Sequence, residues 1–285
     1  MSDRYLAELE AELGAVGIRS SLRRRILAET EDHLRESGDV ARFGEPALVA
    51  ARFADELATS GARRVAFTSF LVLAPAGIAY ATLFGLIRTW PDITSARPLP
   101  LAIGTALTIV LAPQVALAAG LLTVAQAWRL RLETSAPAAE ILVLRRRLAV
   151  ALASAAGAFA AIAVYAYEYN SGLPGWWTMT AFVVSGVALV PIGGAAVALA
   201  RNARVHPQAA GPAGDVFDDL APFIDSIPLR LRDRPWRFCI VVAAGVATAA
   251  LLAGGFDEGP RNAVAEFITV CGAFAVLGRF LGLRR

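Results

Sequence analysis

The sequence predicts an all-α membrane protein: a cytoplasmic three-helix domain over residues 1–62, then a transmembrane domain over 63–285 with six spans and both termini inside. Three observations lead there. Hydrophobic residues form 56% of the 285-residue chain and the mean hydropathy is +0.55, against roughly 45–50% apolar content in soluble domains. Apolar runs recur at the length a bilayer demands, roughly 20 residues each. The first 62 residues instead mix charge and apolar side chains at helical spacing.

The head comes first. Leu6, Leu9 and Leu13 fall on one helical face, with Glu8, Glu10 and Glu12 outward, and Gly14 and Gly17 end that helix. Ser20 or Ser21 suits the cap of a second helix, whose inner stripe is Leu22, Ile26, Thr30 and Leu34. Gly38 fits its exit. Gly44 offers a permissive turn and Pro46 a first helical position, after which Val49, Phe53 and Leu57 form a third stripe.

The six spans are expected near 65–87, 100–127, 148–168, 177–200, 238–256 and 262–280. The second run is long enough that it must tilt, kink at Pro113 or emerge from the bilayer. The sixth carries Glu266 in its first turn. Arginine placement sets the orientation, because short cytoplasmic loops collect basic residues. With the N-terminus inside, twenty-four arginines lie in interior segments and only Arg88, Arg97 and Arg261 outside. Removing the sixth span would move Arg279, Arg284 and Arg285 outside. The opening residues lack the apolar core of a cleavable signal peptide, so the N-terminus is expected to stay in the cytoplasm and the protein in the inner membrane.

The exterior loops, near 88–98, 168–176 and 257–261, are too short for a ligand-binding domain. Trp90, Trp176 and Trp177, with Tyr165, Tyr167 and Tyr169, read as an aromatic belt at headgroup depth. The spans lack mid-membrane ionisable groups, which carriers of ions and protons use. Gln114, beside Pro113, is the most polar deep residue. Pro75, Pro113 and Pro191 are expected to bend their helices. Small residues four apart, such as Ala112, Ala116 and Gly120, favour close packing within the bundle and leave homo-oligomerisation open.

Two interior segments have distinctive charge. Arg145, Arg146 and Arg147 precede the third span and are expected to meet lipid phosphates, as topology anchors or as an anionic-lipid site. In the loop from 201 to 237, Val216, Phe217, Leu220, Ile224 and Ile227 share an apolar face while Asp218, Asp219 and Asp225 face water. The aspartates lack the spacing of a calcium loop. His33 has no second well-placed nitrogen ligand, so no metal is expected. The two cysteines, Cys239 and Cys271, sit in apolar runs and suggest no disulfide framework. No nucleophile–base pair, paired carboxylate or phosphate loop points to an enzyme or a cofactor.

The stretch "RRILAETEDHL" followed by "FGEPALVAARFADEL" resembles the HAAS signalling domain, a short helical module. The matching features are the acidic residue before Asp32–His33–Leu34, the Gly44–Glu45–Pro46 turn, and Val49 to Leu57. The family often precedes multi-helix membrane regions and is associated with PadR-like winged-helix transcription regulators. The resemblance implies a membrane-anchored signalling protein that binds a cytoplasmic regulator and does not itself contact nucleic acid. Glu29, Asp32, His33 and Arg35 of the head, with Phe217, Asp218 and Asp219 of the loop, are the candidate partner-binding residues. Because some relatives precede permease domains, a permease or transporter-associated subunit is the alternative.

Overall fold

A computed structural model of the chain describes residues 2–37, 43–85, 99–168 and 174–214, with scattered positions from 219 to 272. Among the described residues the elements are all helical: α1 Ser2–Ala15, α2 Ser20–Ser37, α3 Pro46–Gly85, α4 Leu99–Arg129, α5 Ala138–Glu168 and α6 Gly175–Asn202. A 3-10 turn, Leu130–Leu132, follows α4 directly.

The head core is the one its periodicity implies. Leu9 and Leu13 of α1 meet Ile26 and Leu34 of α2, with Tyr5, Ile18 and Ala50 completing it. Burial raises the pKa of the Tyr5 hydroxyl by stripping its water. On α3, however, the buried line is Ala50, Ala54, Ala58, Ala62 and Ala66, whereas Val49, Phe53 and Leu57 are half-buried beside it. The expected stripe is therefore displaced by one residue. Alanines win the contact because α3 is squeezed between α1 and the base of the bundle, where small side chains permit close backbones. Ala58, Ala62 and Ala66 accordingly form a second core with Leu130, Ile141 and Leu144.

The third head helix does not end near residue 62. It continues through the first span as one 40-residue helix. Nothing between Leu57 and Phe67 stops it: there is no proline, and a lone Gly61 costs only about 1 kcal/mol relative to alanine. At 1.5 Å per residue α3 is about 60 Å long, twice the roughly 30 Å hydrocarbon core. The head is thus an extension of a spanning helix.

Among the described residues four helices, α3 to α6, are long and apolar enough to cross a membrane. α3 and α5 form a central pair flanked by α4 and α6. Their shared core includes Leu83, Ile109, Phe159, Ile162 and Ile192. The outward surface is apolar as well: Leu71, Ile78, Leu117, Val187 and Val190 are each more than 60% exposed, as lipid contact requires and water does not favour. The expected fifth and sixth spans, 238–256 and 262–280, lie outside the described residues apart from scattered positions, as do Trp90 and Tyr169.

Two belt assignments are corrected. Trp177 is fully buried, its indole Nε1–H donating to the Leu83 carbonyl at 3.0 Å. Tyr165, 2% exposed, meets it edge-on with ring centroids 6.4 Å apart. Trp177, in the first turn of α6, closes the end of the core and satisfies a carbonyl near the end of α3. Trp176 and Tyr167 do face outward.

Candidate functional site

Because α3 to α6 run antiparallel in sequence, their charged ends gather at one end of the bundle. The head docks there, and a polar junction forms in two tiers.

The outer tier ties the head to both basal connections. The α1–α2 turn passes through Gly17 at φ +84°, a conformation glycine adopts freely. This brings Val16 O to the His206 amide at 3.2 Å. A Cβ on Gly17 would stand 2.2 Å from the Arg204 carbonyl oxygen. Asp55 accepts from the amides of Gln208 and Ala209, at 2.5 and 2.9 Å, so a carboxylate on α3 holds the loop after α6. Thr59, one turn on, accepts from the Ala136 amide at 3.0 Å while donating to the Asp55 carbonyl. Arg63 donates to the carbonyls of Leu130 and Arg131, at 3.0 and 2.6 Å, taking up acceptors freed where α4 ends. Three residues, at steps of four, thus hold the α4–α5 connection and the post-α6 loop.

The inner tier is a buried ion network. Arg147, with no exposed side-chain surface, donates to Asp219 at 2.5 Å and to Gln126 Oε1 at 3.0 Å. Asp219, equally buried, also accepts from Arg129 Nε at 3.0 Å. Arg129 donates to Glu140 at 2.7 Å, and Gln126 Nε2 to the Glu140 carbonyl at 3.1 Å. Among the described residues two guanidinium groups face two carboxylates, so their formal charges balance. Such a network is costly to desolvate, but once formed it is strongly destabilised by losing one member.

Between the tiers, Arg145 donates to the carbonyls of Asn202 and Val205, at 3.0 and 3.1 Å. A cation at a helix C-terminus satisfies orphan carbonyls and opposes the helix dipole. Gly61 lies against Asn202 at that same terminus, where an added Cβ would stand 2.3 Å from its Oδ1.

The expected lipid-facing triplet is therefore split. Arg145 and Arg147 are buried in the junction because positions 145 and 147 face α6 and α4, and only Arg146 is exposed. Asp219, expected in water, is fully buried against two arginines. Phe217 and Asp218 lie outside the described residues. The head residues do share one surface: Glu29, Asp32, His33 and Arg35 are all exposed on α2. There they form a ladder of pairs within the helix: Arg25 to Glu29 at 2.9 Å, Arg35 to Asp32 at 2.9 Å and to Glu31 at 2.8 Å, and His33 to Glu36 at 3.9 Å. The exposed arginine–carboxylate pairs contribute little to stability, roughly 0.3–0.5 kcal/mol each. They define a charged face instead.

Sequence reasoning missed Asp55, Thr59, Arg63, Gln126, Arg129 and Glu140. A signal existed for Glu140: it stands four and seven residues before Leu144 and Arg147, on the stripe that α5 buries. No family profile, curated protein or solved structure matches the chain.

Proposed function

We propose that the chain is a membrane-anchored regulatory protein of the bacterial inner membrane, whose head lies in the cytoplasm and binds a winged-helix regulator. The observation that carries this reading is α2. Its inner face is committed to the head core, while its outer face presents Glu29, Asp32, His33 and Arg35 to solvent on a domain fixed to the membrane by the unbroken α3. The excess of arginine at the basal end supports placing that end inside. A regulator held on this face is withheld from DNA, and a tilt of α3 in the bilayer reaches it without passing through a flexible linker.

The test uses the full-length protein in lipid nanodiscs with a PadR-like winged-helix regulator encoded beside it. The variant carries Glu29→Ala, Asp32→Ala, His33→Ala and Arg35→Ala. The expected result is loss of regulator binding with the thermal midpoint shifted by a few degrees at most. Equal binding by the variant and the parent protein would overturn the reading.

The transporter-associated alternative draws on one feature, a chamber of about 490 Å³ among α3, α4 and α5, lined by Tyr80, Pro113, Gln114 and Phe159 among others. Its lining suits an apolar solute. Flux in proteoliposomes that Gln114→Leu abolishes would favour it.

A further inference from the structure

A groove of about 880 Å³ runs between α5 and α6, starting at the basal junction. We infer that it is a binding site for one anionic phospholipid, with the phosphate at Arg146, Arg145 and His206 and one acyl chain lying along the groove. The inference rests on the membrane placement of the bundle, and it is independent of the regulator.

Charge selects the headgroup. Arg145, Arg146 and His206 line the basal part of the groove, and no acidic residue lines it among the described residues. Arg146 is exposed and has no ion pair among the described residues. Arg145 is 8% exposed, and its Nε has no acceptor among the described residues, although its other donors cap α6. Two neighbouring guanidinium groups, Arg146 exposed and Arg145 held at the end of α6 with one donor unsatisfied, match the oxygens of a phosphate.

Shape selects the tail. Beyond the basic end the lining is apolar, with Ala149 and Ala153 on α5 and Gly193 and Ala196 on α6 making room between Leu152, Leu189 and Ile192. The lining on α5 begins at Ala138 and Leu142, and from Arg145, where the charge lies, it continues for eleven residues to Ala156, about 16 Å at 1.5 Å per residue. Half of the roughly 30 Å hydrocarbon core is about 15 Å, the depth of one leaflet. The charged end therefore falls at headgroup level when the tail occupies a single leaflet. A free phosphate ion would use the first feature and leave the second without purpose.

The protein is reconstituted in nanodiscs of phosphatidylcholine with one-tenth phosphatidylglycerol, then extracted, and the retained lipid is measured by native mass spectrometry. One phosphatidylglycerol per chain is expected in preference to phosphatidylcholine. Arg146→Gln is expected to weaken retention about fivefold, the effect of one basic residue near an anionic surface. Ala153→Phe, which fills the groove and keeps every charge, is expected to abolish it. Equal retention of both lipids would overturn the inference, as would displacement of the lipid by inorganic phosphate or unchanged retention in Ala153→Phe. A photocrosslinker at residue 153 is expected to capture lipid. Capture of the chain's own residues 238–280 there would assign the groove to a span and remove the site. Any of these failures leaves the packing of the four described spans intact.

Discussion

Asp219→Leu is expected to lower the thermal midpoint of the detergent-solubilised protein by roughly 10 °C, the equivalent of about 3–5 kcal/mol. The reason is arithmetic of charge in a dry site. Asp219 is the carboxylate that Arg147 and Arg129 share, at 2.5 and 3.0 Å, and Arg147 has no exposed side-chain surface. Among the described residues, removing Asp219 takes from Arg147 the carboxylate it shares with Arg129 and leaves its bond to the neutral amide of Gln126. A double replacement separates charge from packing. Asp219→Leu with Arg147→Met removes both members of the pair and keeps Arg129 on Glu140. Replacing a buried pair by apolar groups of similar volume is often neutral or stabilising, so the double variant should recover most of the lost midpoint. If Asp219→Leu and the double variant fall by the same amount, the charge pair is not what holds the junction.

Gly17→Ala should loosen the α1–α2 turn from the loop after α6, through a different mechanism. At φ +84° a side chain costs about 1–3 kcal/mol in backbone strain. The new Cβ also meets backbone, the Arg204 carbonyl oxygen at 2.2 Å, which cannot swing aside as a side chain could. Either the turn changes conformation or the 204–206 segment moves, and the bond from the His206 amide to Val16 breaks. Gly44 provides the control. It has φ +81° but nothing within 4 Å of an added Cβ, so Gly44→Ala incurs the strain without the collision. Amide exchange read at His206, Gln208 and Ala209 should rise at least tenfold in Gly17→Ala and stay near the parent rate in Gly44→Ala. Similar exchange in both variants would mean that the contact is incidental.

These two effects lie where the sequence was least legible. The inner faces of α1 and α2 could be read because their leucines and isoleucines repeat at helical intervals, and burial follows that repeat. The four described spans could be read because bilayer thickness fixes their length. The continuity of α3 could not, because the change in composition near residue 62 looks like a boundary although no residue there terminates a helix. The inner tier of the junction was hidden for a geometric reason. Its partners stand between 11 and 90 positions apart, as with Arg129 paired to Glu140 and to Asp219. Each taken alone resembles a solvated charge beside a membrane, and only the antiparallel packing of α4 and α5 shows that they neutralise one another. Trp177 was misplaced in the same way. Amphipathic aromatics favour the interface on average, but the Leu83 carbonyl needs a donor inside the core.

The central claim is a partition: the charged basal end, with the head, on the cytoplasmic side, and the opposite end of α5 and α6 outside. Cysteine accessibility tests it most directly, in a protein whose Cys239 and Cys271 have been replaced by serine. His33→Cys, on the exposed face of α2, and Glu168→Cys, exposed at the far end of α5, are treated in intact cells with a membrane-impermeant maleimide. The account predicts labelling at residue 168 in intact cells and at residue 33 only after the membrane is opened. Labelling of residue 33 in intact cells would contradict it.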